Sequence, residues 1–281
     1  MRGANAGSVR ALADRAKRGA RWGDLRLRVI SAVLLAPVVL ACLWAGGPYW
    51  GALASVAAMG LALEWVALCG AAPGVWPGFG VLAAALAGAV LTALGRPELG
   101  AAALMIGAGL VLLPNRWSLA IGVFYAGVGA MALIWLRADP AAGRANVVFL
   151  VVIVWASDIG AYLAGRLLGG PKLAPKVSPG KTWSGAAGGL VAAMLAGMVA
   201  AQVIAPGAPV RAAMLAVLLA VASQGGDLLE SAVKRAFGAK DSGQLIPGHG
   251  GLMDRLDGLL TAAPAAAVLG GLIGRGTTLW H

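Results

Sequence analysis

The densest group of side chains able to do chemistry lies between Ser223 and Asp257. Asp227, Glu230, Asp241, Asp254 and Asp257 fall there, five of the eleven acidic residues, together with Lys234, Arg235, Lys240, Arg255 and one of the two histidines, His249. Apolar sequence flanks the stretch on both sides. Charge beside membrane spans is costly, so such a cluster is read first as a functional site. Ser223, Asp227, Glu230, Ser231 and Lys234 recur at i, i+4, i+7, i+8 and i+11, which puts them on one helix face. A helix end emerging into solvent does not account for a polar stripe of that length. Gly238, Gly243, Pro247, Gly248, Gly250 and Gly251 then interrupt the helix. Glycine-rich backbone can expose successive N–H groups as an anion nest. Asp254 and Asp257 follow at i, i+3 on one face of the next helix, close enough to share a cation. Carboxylates beside a basic, glycine-rich loop suit metal-assisted phosphoryl or nucleotidyl transfer. The acids hold Mg²⁺, as one cation or two, and the metal and bases neutralise phosphate oxygens. Oxygen-only donors favour Mg²⁺ or Mn²⁺ over zinc, and no cysteine is nearby.

A second stretch runs from Trp155 to Gly185. Asp158, Tyr162 and Arg166 share a helix face at i, i+4 and i+8. Arg166, Lys172, Lys176 and Lys181 then form a basic loop with no acid between them. On composition alone this is either a topogenic loop or a phosphate-binding one. The ending Gly180-Lys181-Thr182 is not a Walker A loop: Pro175 stands where that pattern needs glycine, and no strand is expected before it.

The run Ser231-x-x-Lys234-Arg235, Lys240-Asp241, Gly243, Ile246-Pro247, His249-Gly250-Gly251 and Asp254-Arg255-Leu256-Asp257 resembles the signature of the phosphatidate cytidylyltransferases, the CDP-diacylglycerol synthases. Asp158-x-Gly160-Ala161-Tyr162, Gly165-Arg166, Lys172-Leu173-x-Pro175 and Ser178-Pro179-x-Lys181-Thr182 resemble a second motif of that family. Ser184 departs from it, standing where the family is expected to carry glutamate. The resemblance implies that CTP and phosphatidic acid give CDP-diacylglycerol and pyrophosphate. It implies metal binding by Asp227, Asp254 and Asp257. Lys234, Arg235, Lys240, Asp241 and His249 join them as catalytic candidates, with His249 either donating to a phosphate or shaping the loop. Asp158, Arg166, Lys172, Ser178, Lys181, Thr182, Ser231, Gly250, Gly251 and Arg255 are the substrate-binding candidates. Glu230 is a second choice, orienting Lys234.

The elements that position these groups follow from composition. Of the 281 residues, 60% are hydrophobic and only 12% charged, against about 25% charged in soluble domains. The expected fold is all-α: a polytopic integral membrane bundle of about nine helices, near 29–46, 49–69, 75–94, 98–114, 117–136, 146–168, 183–205, 211–233 and 256–274. Residues 1–28 hold eight basic residues against two acids and are either a surface amphipathic helix or an unstructured basic tail. Residues 29–281 form a single membrane domain, with the site in its C-terminal half. Glu64, in the second span, is either hydrogen-bonded between helices or lines a lipid site. Cys42 and Cys69 lie in apolar runs and read as small buried side chains.

With nine spans and the N-terminus inside, inside segments hold seventeen of the twenty-two Lys and Arg residues. That bias places both charged loops on the cytoplasmic face of a bacterial inner membrane. The net charge of +11 suits anionic lipid and anionic substrates. So apolar a chain has no soluble basic domain for nucleic acid. The expected partners are CTP, phosphatidic acid and the bilayer, and a second copy of the chain as a homodimer stays open. Two rivals are weaker. CDP-alcohol phosphatidyltransferases carry two aspartates four apart after an Ala-Arg element absent here, and polyprenol kinases are grouped with them. A cation-coupled transporter would place paired acids mid-span in two related halves.

Overall fold

The computed structural model describes residues 29–113, 116–246, 248 and 250–281. Expectations for the tail 1–28 and for His249 therefore lie outside the described residues. Among the described residues nine helices run in order: α1 (Val29–Ala45), α2 (Gly47–Leu68), α3 (Gly78–Ala93), α4 (Pro97–Leu112), α5 (Trp117–Arg137), α6 (Gly143–Leu168), α7 (Trp183–Ile204), α8 (Pro209–Ala236) and α9 (Met253–Ile273). Each coincides with an expected span to within a few residues. Proline occupies the first turn of α2, α4 and α8, where its missing N–H costs no intrahelical bond.

Six helices, α2 and α5 to α9, are long and apolar enough to cross a membrane. The other three are apolar but shorter. At 16 residues, α3 and α4 measure about 24 Å, less than the roughly 30 Å of hydrocarbon. Large apolar side chains such as Val33, Leu40, Val203 and Leu272 point outward, as expected where lipid replaces water as solvent. The chain is an integral membrane protein by these helices.

Two apolar clusters hold the bundle together. One joins Leu61, Trp65, Val81, Leu104 and Val123 from α2 to α5, and the other joins Phe149, Leu150, Ala193 and Leu219 from α6 to α8. Helix α9 belongs to both, with Met253 and Leu260 in the first and Ala262, Ala263 and Ala266 in the second. Its N-terminal part is thus fixed by α2 to α5, and its middle by α6 to α8.

The basic loop after α6 is more ordered than a loop. Strands β1 (Lys172–Ala174) and β2 (Ser178–Thr182) pair antiparallel, Lys172 opposite Thr182 and Ala174 opposite Ser178. Val177 N–H donates to Ala174 O at 3.2 Å and closes the turn. A strand therefore does precede Gly180-Lys181-Thr182, contrary to expectation, but Lys181 sits on β2 rather than in a phosphate loop.

At the opposite end of the bundle the C-terminal residues fold back. Trp280 is buried, stacks on Phe149 at 4.6 Å and donates to Ala205 O at 3.0 Å. Asp139, between α5 and α6, accepts from the N–H groups of Ala141, Ala142 and Gly276 at 2.6–2.9 Å. Burial pushes this carboxyl up, but those three donors and nearby Arg275 outweigh it and hold Asp139 below the usual carboxylate range. Its contribution is therefore complete above the unfolded-state value and lost as pH falls through the lower folded one. Asp139→Asn should cost about 1–3 kcal/mol at neutral pH. Melting curves in detergent at pH 7 and near pH 3 (about a unit below the free carboxylate value) should show the wild-type advantage shrinking in acid. An equal gap at both pH values would contradict this.

Candidate functional site

The site forms where the C-terminal end of α8 meets the N-terminal end of α9, with the hairpin and the end of α6 beside them. Close approach of α8 and α9 depends on glycine. A Cβ at Gly226 would come within 2.8 Å of Asp257 O, and Gly258 faces Ser223 in the same way. Thr261 Oγ1 donates to Ala222 O at 2.8 Å across the crossing. Asp227 and Asp257, each next to one of these glycines, are thereby brought together.

Asp227, Glu230 and Asp257 place carboxylate oxygens within 4.8 Å of one another. Glu230 is 1% exposed, and its Oε1 has no hydrogen-bond partner among the described residues. Its Oε2 meets Lys234 Nζ at 2.9 Å, one helical turn on. Lys234 also binds Asp254 Oδ1 at 2.5 Å. Lys181, from β2, pairs with Asp227. Asp257 Oδ1 accepts from Gly258 N–H at 2.8 Å. Four carboxylates thus share two ammonium groups, an excess of two negative charges when all are ionised. An oxygen-only donor set, a buried orphan oxygen and that charge excess fit a divalent cation such as Mg²⁺.

Of the three acids expected from sequence to bind metal, Asp227 and Asp257 come together and Asp254 does not join them. The acid group takes Glu230, and Asp254 is turned elsewhere. Asp254 Oδ2 accepts from Ser242 N–H at 3.1 Å, Ser242 Oγ at 3.0 Å and Gly251 N–H at 3.3 Å. Sharing a helix face did not bring Asp254 and Asp257 to one point, because the glycine-rich loop offers donors to the first and α8 faces the second.

Beside the acids opens a cavity of about 670 Å³. Asp158 and Arg166 from α6, Lys181 and Thr182 from β2, and Gln224 and Asp227 from α8 lie on its wall. Asp227 belongs to both the cavity and the acid group. Arg166 donates to Tyr162 Oη at 2.6 Å. Thr182 also caps α7, accepting from Gly185 N–H at 3.1 Å, so part of its role is structural. Ser184 Oγ donates to Gly169 O, tying α7 to the end of α6 where the expected glutamate is missing. Gln224, not singled out by any sequence pattern, donates to Ser157 Oγ at 3.1 Å and Ala186 O at 3.2 Å and so binds α8 to α6 and α7.

The remaining candidates are neither in the acid group nor on the cavity wall. Lys172 and Ser178 are on the hairpin. Arg235, Lys240, Asp241 and Arg255 are exposed, Arg235 donating to Ala239 O at 3.1 Å. Ser231 is half-buried on α8. Gly250 has φ +86° and bridges back to Ile246, a left-handed conformation that favours glycine. Gly251 is buried against Ser242, Asp254 and Glu64.

Residues 26–273 match the sequence profile described as the cytidylyltransferase family. The chain is 40% identical over 254 residues to the phosphatidate cytidylyltransferase of Brucella suis biovar 1, covering 89% of this chain and 94% of that protein. It is 40% identical over 267 residues to that of Pseudomonas aeruginosa, covering 87% and 96%. It is 46% identical over 127 residues to that of Mycobacterium leprae, covering 45% and 41%.

Proposed function

The chain belongs to the cytidylyltransferase family, and from that premise we propose that it converts CTP and phosphatidic acid to CDP-diacylglycerol and pyrophosphate. The observation that carries this is the position of Asp227, shared by a cavity that carries Arg166 and Lys181 on its wall and a group of converging carboxylates. Relatives named phosphatidate cytidylyltransferase that align over nearly their whole length support it.

A phosphate oxygen of phosphatidic acid attacks the α-phosphorus of CTP. A new P–O bond forms, the bond from the α-phosphorus to the bridging oxygen breaks, and pyrophosphate leaves with that electron pair. The attacking oxygen is already anionic at neutral pH, so no enzyme nucleophile is required. What remains is to hold two anions that repel each other and to screen charge as it moves. Lys181 and Arg166 bind phosphate from the cavity wall. Lys181 pairs with Asp227 and both line the cavity, so its ammonium can pass from the carboxylate to a phosphate oxygen. Asp227, Glu230 and Asp257 would hold a divalent cation, which would supply positive charge to offset that of the phosphates. Lys234 keeps Glu230 and Asp254 in place through a partly buried ion triad, where an unpaired charge would be costly.

The basic residues of the hairpin and of the α8–α9 loop support a cytoplasmic position for this end of the bundle, in a bacterial inner membrane. Single cysteines introduced at Lys176 and Arg211 should behave oppositely in intact cells. An impermeant thiol reagent should reach position 211 and spare position 176, and the reverse pattern would invert the topology. The activity itself is tested with pure protein in liposomes. CDP-diacylglycerol should form from CTP and phosphatidic acid, without uptake of labelled cations. Consumption of CDP-diacylglycerol with an alcohol would overturn the assignment.

A further inference from the structure

Glu64 lies on α2, far in sequence from every residue of the site, yet its carboxylate reaches the glycine-rich loop. It is 3% exposed. Its Oε1 accepts from Leu252 N–H at 2.8 Å, its Oε2 accepts from Met253 N–H at 2.8 Å, and Oε2 shares the single Ser242 Oγ–H, 3.1 Å away, with Asp254 Oδ2. Helix α9 has no side-chain cap of its own at Leu252. Glu64 caps it from another helix, with its negative charge at the positive end of the helix dipole.

The fit around this carboxylate is close. A Cβ at Gly243 would stand 2.8 Å from Glu64 Oε1, and one at Gly251 would stand 3.0 Å from Oε2. A Cβ at Gly60, one turn before Glu64, would meet Leu252 at 2.9 Å. Glycines at 243 and 251 leave room for a carboxylate from α2 to enter the loop between them. The contact then continues toward the chemistry. Ser242 Oγ touches Asp254 Oδ2 at 3.0 Å, Asp254 Oδ1 touches Lys234 at 2.5 Å, and Lys234 touches Glu230 at 2.9 Å. Glu230 belongs to the acid group.

We propose that Glu64 is a positioning residue for the site: it sets the loop where Ser242, Leu252 and Met253 meet it and, through Asp254 and Lys234, the placement of Glu230. This rests on the reading of Asp227, Glu230 and Asp257 as the cation-binding group. Glu64 touches neither the cavity wall nor those three carboxylates, so it acts only through the loop. Glutamine at this position would turn an amide donor toward one of the donors Glu64 now accepts from. The loop loosens, Glu230 drifts and cation binding weakens, while the cavity keeps its walls.

The test has an arm that needs no activity. Gln244 is exposed on the loop. In metal-free protein with Cys42 and Cys69 replaced by alanine, the labelling rate of a cysteine at 244 reports loop order. Glu64→Gln should raise that rate about fivefold or more, as expected when a buried charge-assisted contact is lost. Should that variant fail to fold, Ser242→Ala removes the hydroxyl that lies between Glu64 and Asp254 and leaves the two backbone contacts of Glu64 and the Ser242 N–H contact to Asp254 intact. In the activity arm, half-saturating Mg²⁺ should rise about fivefold or more in either variant, with KM for CTP within about twofold. A role in packing alone would lower the folded fraction and leave half-saturating Mg²⁺ unchanged. Labelling at the wild-type rate, or an unaltered Mg²⁺ titration, overturns the proposal. If wild-type protein makes no CDP-diacylglycerol, the function assignment fails and the labelling arm still decides whether Glu64 orders the loop.

Discussion

Asp227→Asn and Asp257→Asn should each reduce CDP-diacylglycerol formation by about two to three orders of magnitude, the range seen when a group stabilising transition-state charge is removed. Both variants should fold. Asparagine keeps the shape of the side chain and the room beside Gly226 and Gly258, so the α8–α9 crossing survives. What disappears is one of the negative charges that converge with Glu230. Without a cation, these carboxylates repel one another at such spacing. Removing a charge should therefore leave stability unchanged or raise it while activity falls. Thermal melting in detergent, paired with a Mg²⁺ titration of each variant, separates the two effects. Variants that melt early, or that stay active with unchanged Mg²⁺ dependence, would mean the acids serve only to pair with lysines. Asp254→Asn should behave differently, since Asp254 faces Lys234 and the loop. Its loss is felt through Lys234 and Ser242, with a cost in stability as well as in rate.

Lys181→Ala should lower kcat/KM by about tenfold to a hundredfold, the value of one charge-assisted contact to phosphate at about 1.5–3 kcal/mol. Lys181 projects from β2 to the junction of cavity and acids. Losing it removes a cation from the cavity wall and leaves Asp227 without its ammonium partner. Insertion and folding should persist, because the hairpin register depends on backbone pairing at Lys172, Ala174, Ser178 and Thr182. Steady-state kinetics with CTP and with phosphatidic acid varied in turn would show which substrate Lys181 meets. Unchanged kinetics would mean that the basic residues of the hairpin serve topology alone.

Apolar runs placed each described helix to within a few residues, because burial in lipid demands long uninterrupted helices. The hairpin was not visible in the same way. Ser178-Pro179-Gly180-Lys181-Thr182 has no alternating apolar face, and its pairing is set by where α6 ends and α7 begins. Helical spacing correctly grouped Asp227, Glu230 and Lys234 on one face of α8. Spacing alone did not show that Asp254 would be captured by Ser242 and Gly251 while Glu230 joined Asp257. That choice depends on donors in an irregular loop whose path is settled only by tertiary contact. Glu64 was the least legible. It stands 178 positions from Ser242, and no local pattern connects a lone carboxylate in one span to a glycine-rich loop near the other end of the chain.

The most direct measurement follows phosphorus atoms from CTP in the presence of phosphatidic acid and Mg²⁺. Pure protein is given CTP labelled at the α-phosphate in one reaction and at the γ-phosphate in another. Nucleotidyl transfer requires the α label to appear in the lipid product and the γ label to leave in pyrophosphate. A lipid carrying the γ label instead would show kinase chemistry, with attack at the far end of the triphosphate, and would contradict the function assigned to this site.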